Sequence, residues 1–159
     1  MKRILVALDY DLSAQKVAET GYAFGKSMNA EVTLIHVLAE TLYYMPLEYS
    51  PVMGFTGFSD AGLIEPIDLD ELKRNAQLFL DASKEHLGDS NIKTMIAEGN
   101  FAEAILKTAV DTGADIIVAG SHSRGGLEKL LMGSITEKLI HDTTIPLLIV
   151  PTKKTKEPS

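Results

Sequence analysis

The chain contains no cysteine and no hydrophobic run long enough to cross a bilayer. The absence of cysteine excludes disulfide scaffolds, zinc–thiolate sites, iron–sulfur clusters and a cysteine nucleophile, and it suits a reducing cytoplasm. A membrane-spanning helix needs about 20 apolar residues in succession, and a signal peptide needs a longer apolar region than the run Ile4–Leu8. The sequence therefore predicts a cytoplasmic protein with no membrane partner.

Basic residues are scarce, because 15 Lys and Arg stand against 22 Asp and Glu, which gives a net charge of −7. Such a surface repels a phosphate backbone over most of its area, which disfavours general nucleic-acid binding, and no nucleic-acid partner is expected. The 159 residues suffice for one domain with a sizeable core but not for two. We expect one domain at residues 1–151, followed by a flexible lysine-rich tail at 152–159.

Short apolar runs alternate along the chain with segments of helical periodicity. This alternation predicts an α/β domain with a five-stranded parallel sheet and helices on both faces. The periodicity leaves the order of the strands in the sheet open. The strands are predicted at Arg3–Leu8, Glu31–Val37, Ile92–Glu98, Asp115–Ala119 and Pro146–Val150, and the helices after Ser13, at 68–87, from Phe101 to a stop at Gly113, and at 135–141.

One connection, residues 41–66, is unusually long for a compact domain and contains three prolines. Loops of this length are commonly lids, binding loops or partner surfaces. Residues 41–66 are therefore predicted to be a long mobile loop. The alternative is a loop folded over the helices with its aromatic side chains partly buried.

Polar residues and glycines follow the predicted strands at the edge where open α/β sheets bind ligands. Asp9 follows the first strand, a glycine-rich segment at 120–126 follows the fourth, and Gly133-Ser134 opens the last helix. Glycine backbone and a helix N-terminus offer N–H groups to an anion. The segment lacks the Lys and Ser/Thr of a P-loop, and no strand leads into G-x-G-x-x-G. The pattern predicts anion binding without a nucleophile–base pair for catalysis.

The segments Ile4–Asp9, Leu34–Val37, Glu98–Ile105 and Gly120–Ser134 resemble the universal stress protein family, in order and over residues 1–151. The resemblance implies a Rossmann-like fold of the adenine-nucleotide alpha-hydrolase-like kind, with strand order 3-2-1-4-5. It also implies a homodimer formed through the last strand, Pro146–Val150. In that fold Asp9 and Gly120 lie side by side, which agrees with the position of the polar residues.

The nucleotide-binding branch of the family carries Gly-x2-Gly-x9-Gly-Ser/Thr. Gly120, Gly133 and Ser134 match this motif, and Ser123 stands where its second glycine would be. The resemblance implies ATP or AMP as ligand with Mg²⁺ or Mn²⁺, Asp9 at the ribose or the metal, and Val37 at the adenine. The implied contact residues are Ala7, Leu8, Asp9, Val37, Gly120, Ser121, His122, Ser123, Arg124, Gly133, Ser134, Ile135 and Thr136.

The resulting functional hypothesis is a stress-response regulatory protein that binds an adenine nucleotide with little or no hydrolysis, since no base or arginine finger is indicated. The alternative is a nucleotide-free dimeric interaction protein, which Ser123 favours. An enzyme acting on a nucleotide-activated substrate is a third hypothesis. His36 is expected to be a hydrogen-bonded core histidine, whereas His122 is left open between a ligand contact and a solvent-facing position.

Overall fold

A computed structural model describes residues 1–10, 13–38, 68–121 and 134–152. The predicted loop at 41–66 and tail residues 153–159 lie outside this described part of the chain. The strands are β1 (Arg3–Ala7), β2 (Glu31–Leu38), β3 (Lys93–Glu98), β4 (Ile116–Gly120) and β5 (Leu147–Val150), and the helices are α1 (Ala14–Ser27), α2 (Leu69–Leu87), α3 (Phe101–Thr112) and α4 (Ser134–Asp142).

The strands form one parallel sheet in the order β3-β2-β1-β4-β5, which confirms both the parallel sheet and the order implied by the resemblance. Ile4 on β1 pairs with Val32 on β2 and, on the other side, with Ile116 on β4. From β1 the chain adds β2 and β3 on one side of the sheet. It then crosses back and adds β4 and β5 on the other side of β1. The carboxyl ends of β1 and β4 form the switch point at which open α/β sheets bind ligands.

Helix boundaries follow from local capping. The side chains of Asp68 and Asn100 each accept a hydrogen bond from a backbone N–H in the first turn, of α2 and α3 respectively. Both helices end at a glycine in the left-handed region, Gly88 with φ 71° and Gly113 with φ 66°. Because α3 begins directly after β3, its N-terminus lies at the carboxyl edge of the sheet.

The sheet is covered on both faces, so its strands are apolar on both sides. Helices α1 and α2 pack on one face against side chains such as Ile4, Val6 and Leu34. Helices α3 and α4 pack on the other face against Leu5 and Ile35. These two apolar layers place the N-termini of α1, α3 and α4 around the same end of the sheet.

Strand β2 is longer than the sequence pattern predicts. Leu38 still pairs with Glu98 on β3, so the strand extends one residue past the predicted end at Val37. The extension leaves the placement of His36 and Val37 unchanged, because both are predicted within this strand and the structure places them there. Continued pairing with β3, a contact distant in sequence, is the physical reason for the extension.

Candidate functional site

A cleft lies at the carboxyl ends of β1 and β4, at the switch point of the sheet. Its interior has room for water-sized molecules in about 50 Å³ and opens to solvent on one side. Strand ends form its floor, and the first two turns of α1, α3 and α4 form its walls. The lining residues are Ala7, Leu8, Asp9, Ser13, Ala14, Val17, Ile35, Val37, Phe101, Ile105, Ala119, Gly120, Ile135, Thr136 and Leu139.

The lining is mostly apolar, with a few polar groups at the strand ends. Ala7, Val37 and Ala119 provide small or branched apolar side chains on the floor, while Phe101 provides an aromatic wall. Asp9 is the one ionisable side chain among the described lining residues. An apolar cavity with few convergent polar groups is the usual form of a small-molecule site.

Asp9 is half-buried and lies two residues after Ala7, the last residue of β1. Its neighbour Leu8 donates its backbone N–H to the carbonyl oxygen of Ile35 at 2.9 Å, which holds the chain against β2 up to that point. A carboxylate here can accept hydrogen bonds from hydroxyl groups or contact one cation. Within the described residues, no three or more His, Cys, Asp or Glu side chains lie close enough together to hold a metal ion. A bound molecule such as a nucleotide phosphate would supply oxygen ligands to a divalent cation held by Asp9.

Thr136 joins the start of α4 to the end of β4. Its hydroxyl donates to the carbonyl oxygen of Gly120 at 2.8 Å, and the residue is 2% exposed. This bond brings the two ends of segment 122–133 together beside the cleft. The hydroxyl proton of Thr136 is used inside the fold, so its contribution at the cleft is to hold the helix start in place.

Ser121 was predicted at the site, but the structure places it outside the cleft lining. Its backbone N–H donates to the carbonyl oxygen of Val150 at 2.9 Å, and its hydroxyl oxygen accepts from the backbone N–H of Thr152 at 2.9 Å. Ser121 thus fastens the end of β4 to the chain leaving β5.

The other predicted site residues either line the cleft, begin α4 or lie outside the described part of the chain. Ser134 is the first residue of α4, and His122, Ser123, Arg124 and Gly133 lie outside the described residues. The structure does gather a large share of the predicted set around one cleft, namely Ala7, Leu8, Asp9, Val37, Gly120, Ile135 and Thr136.

Sequence reasoning missed the apolar walls of the cleft. Phe101, Ile105 and Leu139 line it, yet in the sequence they have the same periodicity as core positions of their helices. One signal was available for Phe101, because the turn Gly99–Asn100 starts α3 at the carboxyl edge of the sheet. This start places Phe101 at the edge of the sheet where its side chain lines the cleft.

His36 is the buried histidine that the sequence predicts. It is 3% exposed, and its ring Nδ1 lies 2.8 Å from the carbonyl oxygen of Leu8. This contact confirms a hydrogen-bonded core histidine and places it directly beneath the turn that carries Asp9.

Comparison with known proteins agrees with this architecture. The profile of the Universal stress protein family matches residues 1–151. The chain belongs to the universal stress protein family. Universal stress protein MJ0577 of Methanocaldococcus jannaschii is 31% identical over 157 residues, covering 96% of each chain. Universal stress protein YxiE of Bacillus subtilis is 28% identical over 150 residues, covering 93% of this chain and 97% of its own.

Solved structures of the family superpose on the fold. The structure of MJ0577 matches with a TM-score of 0.73 at 29% identity, covering 97% of this chain and 98% of that chain. Universal stress protein UspA from Lactobacillus plantarum matches with a TM-score of 0.72 at 20% identity, covering 94% and 97%. Two further structures with this fold are a universal stress protein in complex with cAMP, at 13% identity, and one from Archaeoglobus fulgidus in complex with dAMP, at 14%.

Proposed function

We propose that this universal stress protein binds ATP or a related adenine nucleotide in the cleft at the carboxyl ends of β1 and β4. The observation that carries the proposal is the gathering of Asp9, Val37 and Gly120, predicted from sequence alone, around one cleft at the switch point of the sheet. The apolar floor suits a planar base, and a carboxylate at the strand end suits a ribose hydroxyl or a phosphate-bound cation.

The phosphates would be held by the glycine-containing segment that begins after Gly120 and leads into α4. Helix α4 points its N-terminus toward the cleft, since Ile135 and Thr136 in its first turn line the cavity. A helix N-terminus favours negative charge through its free N–H groups and its dipole. The complexes of this fold with cAMP and dAMP support the choice of an adenine ligand, as examples of what the fold accommodates.

A regulatory role with little or no hydrolysis follows from the chemistry of the lining. Asp9 is the one described lining residue able to act as a base, and it is also the proposed ribose or metal contact. Among the described residues, a single carboxylate that already holds the ligand leaves no second lining group positioned to activate water. We include a cytoplasmic location in this proposal, consistent with a sequence that has no cysteine. Within the described residues, no helix is both long and apolar enough to cross a membrane.

Isothermal titration with ATP and Mg²⁺ tests the proposal. The Ala7→Leu variant places a larger side chain on the cleft floor and should weaken binding by about tenfold or more relative to the natural protein. Ala82→Leu makes the same change at an exposed position of α2 and should leave the dissociation constant unchanged. Absence of binding by the natural protein, with its melting transition intact, would remove nucleotide binding as its function.

The second candidate function is a nucleotide-free dimeric interaction protein, which the serine at position 123 favours. If a motif glycine is needed there for backbone to approach a phosphate, the Cβ of Ser123 obstructs it. In that case the natural protein gives no heat with ATP, while Ser123→Gly gains affinity. Equal affinity in both proteins would show that the serine is compatible with the ligand.

A further inference from the structure

His36 occupies a buried position beside the turn that carries Asp9. Its Nδ1 lies 2.8 Å from the carbonyl oxygen of Leu8. A carbonyl oxygen can only accept a hydrogen bond, so Nδ1 carries the proton and donates. Together with the bond from the Leu8 N–H to Ile35, both backbone polar groups of the residue before Asp9 are held by β2.

The residue after Asp9 is also held by His36. The ring of Tyr10 lies 4.2 Å from the His36 ring and 5.0 Å from the Phe79 ring on α2, measured between centroids. The His36 and Phe79 rings are 5.5 Å apart in an edge-on arrangement. The three rings form one cluster, so Tyr10 is packed on β2 and α2 while Leu8 is hydrogen-bonded to β2.

We propose that His36 is a positioning residue for the candidate nucleotide site: it fixes both neighbours of Asp9, and thereby orients the Asp9 carboxylate toward the cleft. The inference rests on the proposed function, which it deepens by naming how the turn is preorganised. A side chain held in its binding geometry before the ligand arrives loses less freedom on binding. Without the Nδ1–H donor, the carbonyl of Leu8 loses a buried partner and the turn can shift.

Two substitutions separate the hydrogen bond from the packing of the ring. His36→Phe keeps a ring against Tyr10 and Phe79 but removes the donor. His36→Asn loses the ring but places an amide nitrogen at the branch position of Nδ1, from which it can donate to Leu8. By titration with ATP and Mg²⁺, His36→Phe should bind about tenfold more weakly than the natural protein, and His36→Asn should recover most of that loss.

A stability control guards against a merely structural effect. Ile92 is 3% exposed and precedes β3 at the opposite end of the sheet, so Ile92→Ala should lower the melting temperature without changing the dissociation constant. The proposal would be overturned if the affinity for ATP followed the melting temperature across Ile92→Ala and both His36 variants. It requires instead that affinity follows the presence of a hydrogen-bond donor at position 36.

Amide hydrogen exchange of Leu8 gives a readout that needs no nucleotide. Exchange at this amide should be faster in His36→Phe and return toward the natural rate in His36→Asn. Should the natural protein bind no nucleotide while Leu8 exchange follows the donor, the proposed function fails and the anchoring of the turn stands. If the natural protein binds ATP but either Leu8 exchange or ATP affinity is the same in the natural protein and both His36 variants, nucleotide binding stands. The proposed role of His36 is then wrong.

Discussion

At the scale of single residues, two glycines set the distance between α1 and the sheet. A methyl group on Gly25 would lie 2.6 Å from Cγ2 of Val32, and one on Gly21 would lie 2.8 Å from Cγ2 of Val6. Both contacts are shorter than carbon atoms tolerate, and valine has little rotational freedom to yield. The glycines are therefore packing residues that allow α1 to lie close to β1 and β2.

Gly25→Ala should destabilise the protein by about 1–2 kcal/mol, because the cost of overpacking exceeds the gain in helix propensity. Thr20→Ala, at an exposed position of the same helix, should be neutral or slightly stabilising and serves as the control. Urea denaturation followed by circular dichroism measures both. A Gly25→Ala variant as stable as the natural protein would show that Val32 moves aside without strain.

A site residue can be predicted from sequence when its side-chain chemistry suits a ligand and it follows an apolar run that forms a strand. Asp9 and Gly120 directly follow apolar runs in the sequence, so their place at the carboxyl edge of the sheet can be predicted. The proposed role of His36 cannot be predicted in the same way, because its bond joins β2 to Leu8, the residue after β1, across 28 positions of the sequence. Thr136 is a similar case. The helix pattern predicts that it lies at a helix start, but its hydrogen bond to Gly120 becomes known only from the fold.

At the scale of elements, polar contacts join α1 to the C-terminal end of α2. Tyr22 donates its hydroxyl proton to a carboxylate oxygen of Asp89 at 3.0 Å. The backbone N–H of Asn91, followed by the Tyr22 hydroxyl, holds the pKa of Asp89 below its ordinary value. Partial burial, with Asp89 nearby, raises the pKa of Tyr22 above its ordinary value. Both shifts favour the pair with a neutral phenol and an ionised carboxylate.

The pair should contribute stability only between two pH limits. The lowered pKa of Asp89 gives stability that is lost as the pH falls below the ordinary value of 3.8. The raised pKa of Tyr22 gives stability that is present below the ordinary value of 10.0 and lost as the pH rises through the folded value. The difference in unfolding free energy between the natural protein and Tyr22→Phe should therefore be greatest near neutral pH and shrink at both extremes.

Urea titrations repeated from acidic to alkaline pH measure this difference. Thr20→Ala removes an uncharged group from the same helix, so its effect on stability should stay constant across the series. A Tyr22→Phe difference that is equally flat would mean that the contact to Asp89 does not form in solution.

The elements themselves were predictable because their periodicity and caps are local. Glycines end α2 and α3 at the positions that the sequence indicates. Strand order and the extra residue of β2 depend on pairing between distant segments, which periodicity does not encode; the order came instead from the family resemblance.

At the scale of the whole molecule, β5 gives the sheet an open edge. Within the described residues, β5 pairs only with β4. The carbonyls of Pro146 and Val150 accept hydrogen bonds from β4 and the residue after it, so by alternation the polar groups of Leu147 and Ile149 point to the free side. Leu147 and Ile149 are half-buried apolar residues. We propose that a second copy of the chain pairs along this edge to form a homodimer.

Ile149→Pro should convert that dimer to a monomer. Proline removes the N–H that faces the free edge while leaving the bonds to β4 in place. Ile149→Val keeps the N–H and should remain dimeric. Sedimentation at micromolar concentration distinguishes the two states. A natural protein that sediments as a monomer, or a proline variant that stays dimeric, would contradict pairing through β5.

The bond between Thr136 and Gly120 has a consequence for how the family can diversify. It joins two described residues, Gly120 and Thr136, that lie on either side of segment 122–133 in the sequence. Lengthening a closed loop adds little to its entropic cost, about 0.6 kcal/mol for each doubling. We therefore expect that a transplanted segment 122–133 of another length would change the proposed nucleotide site more than the stability of the scaffold.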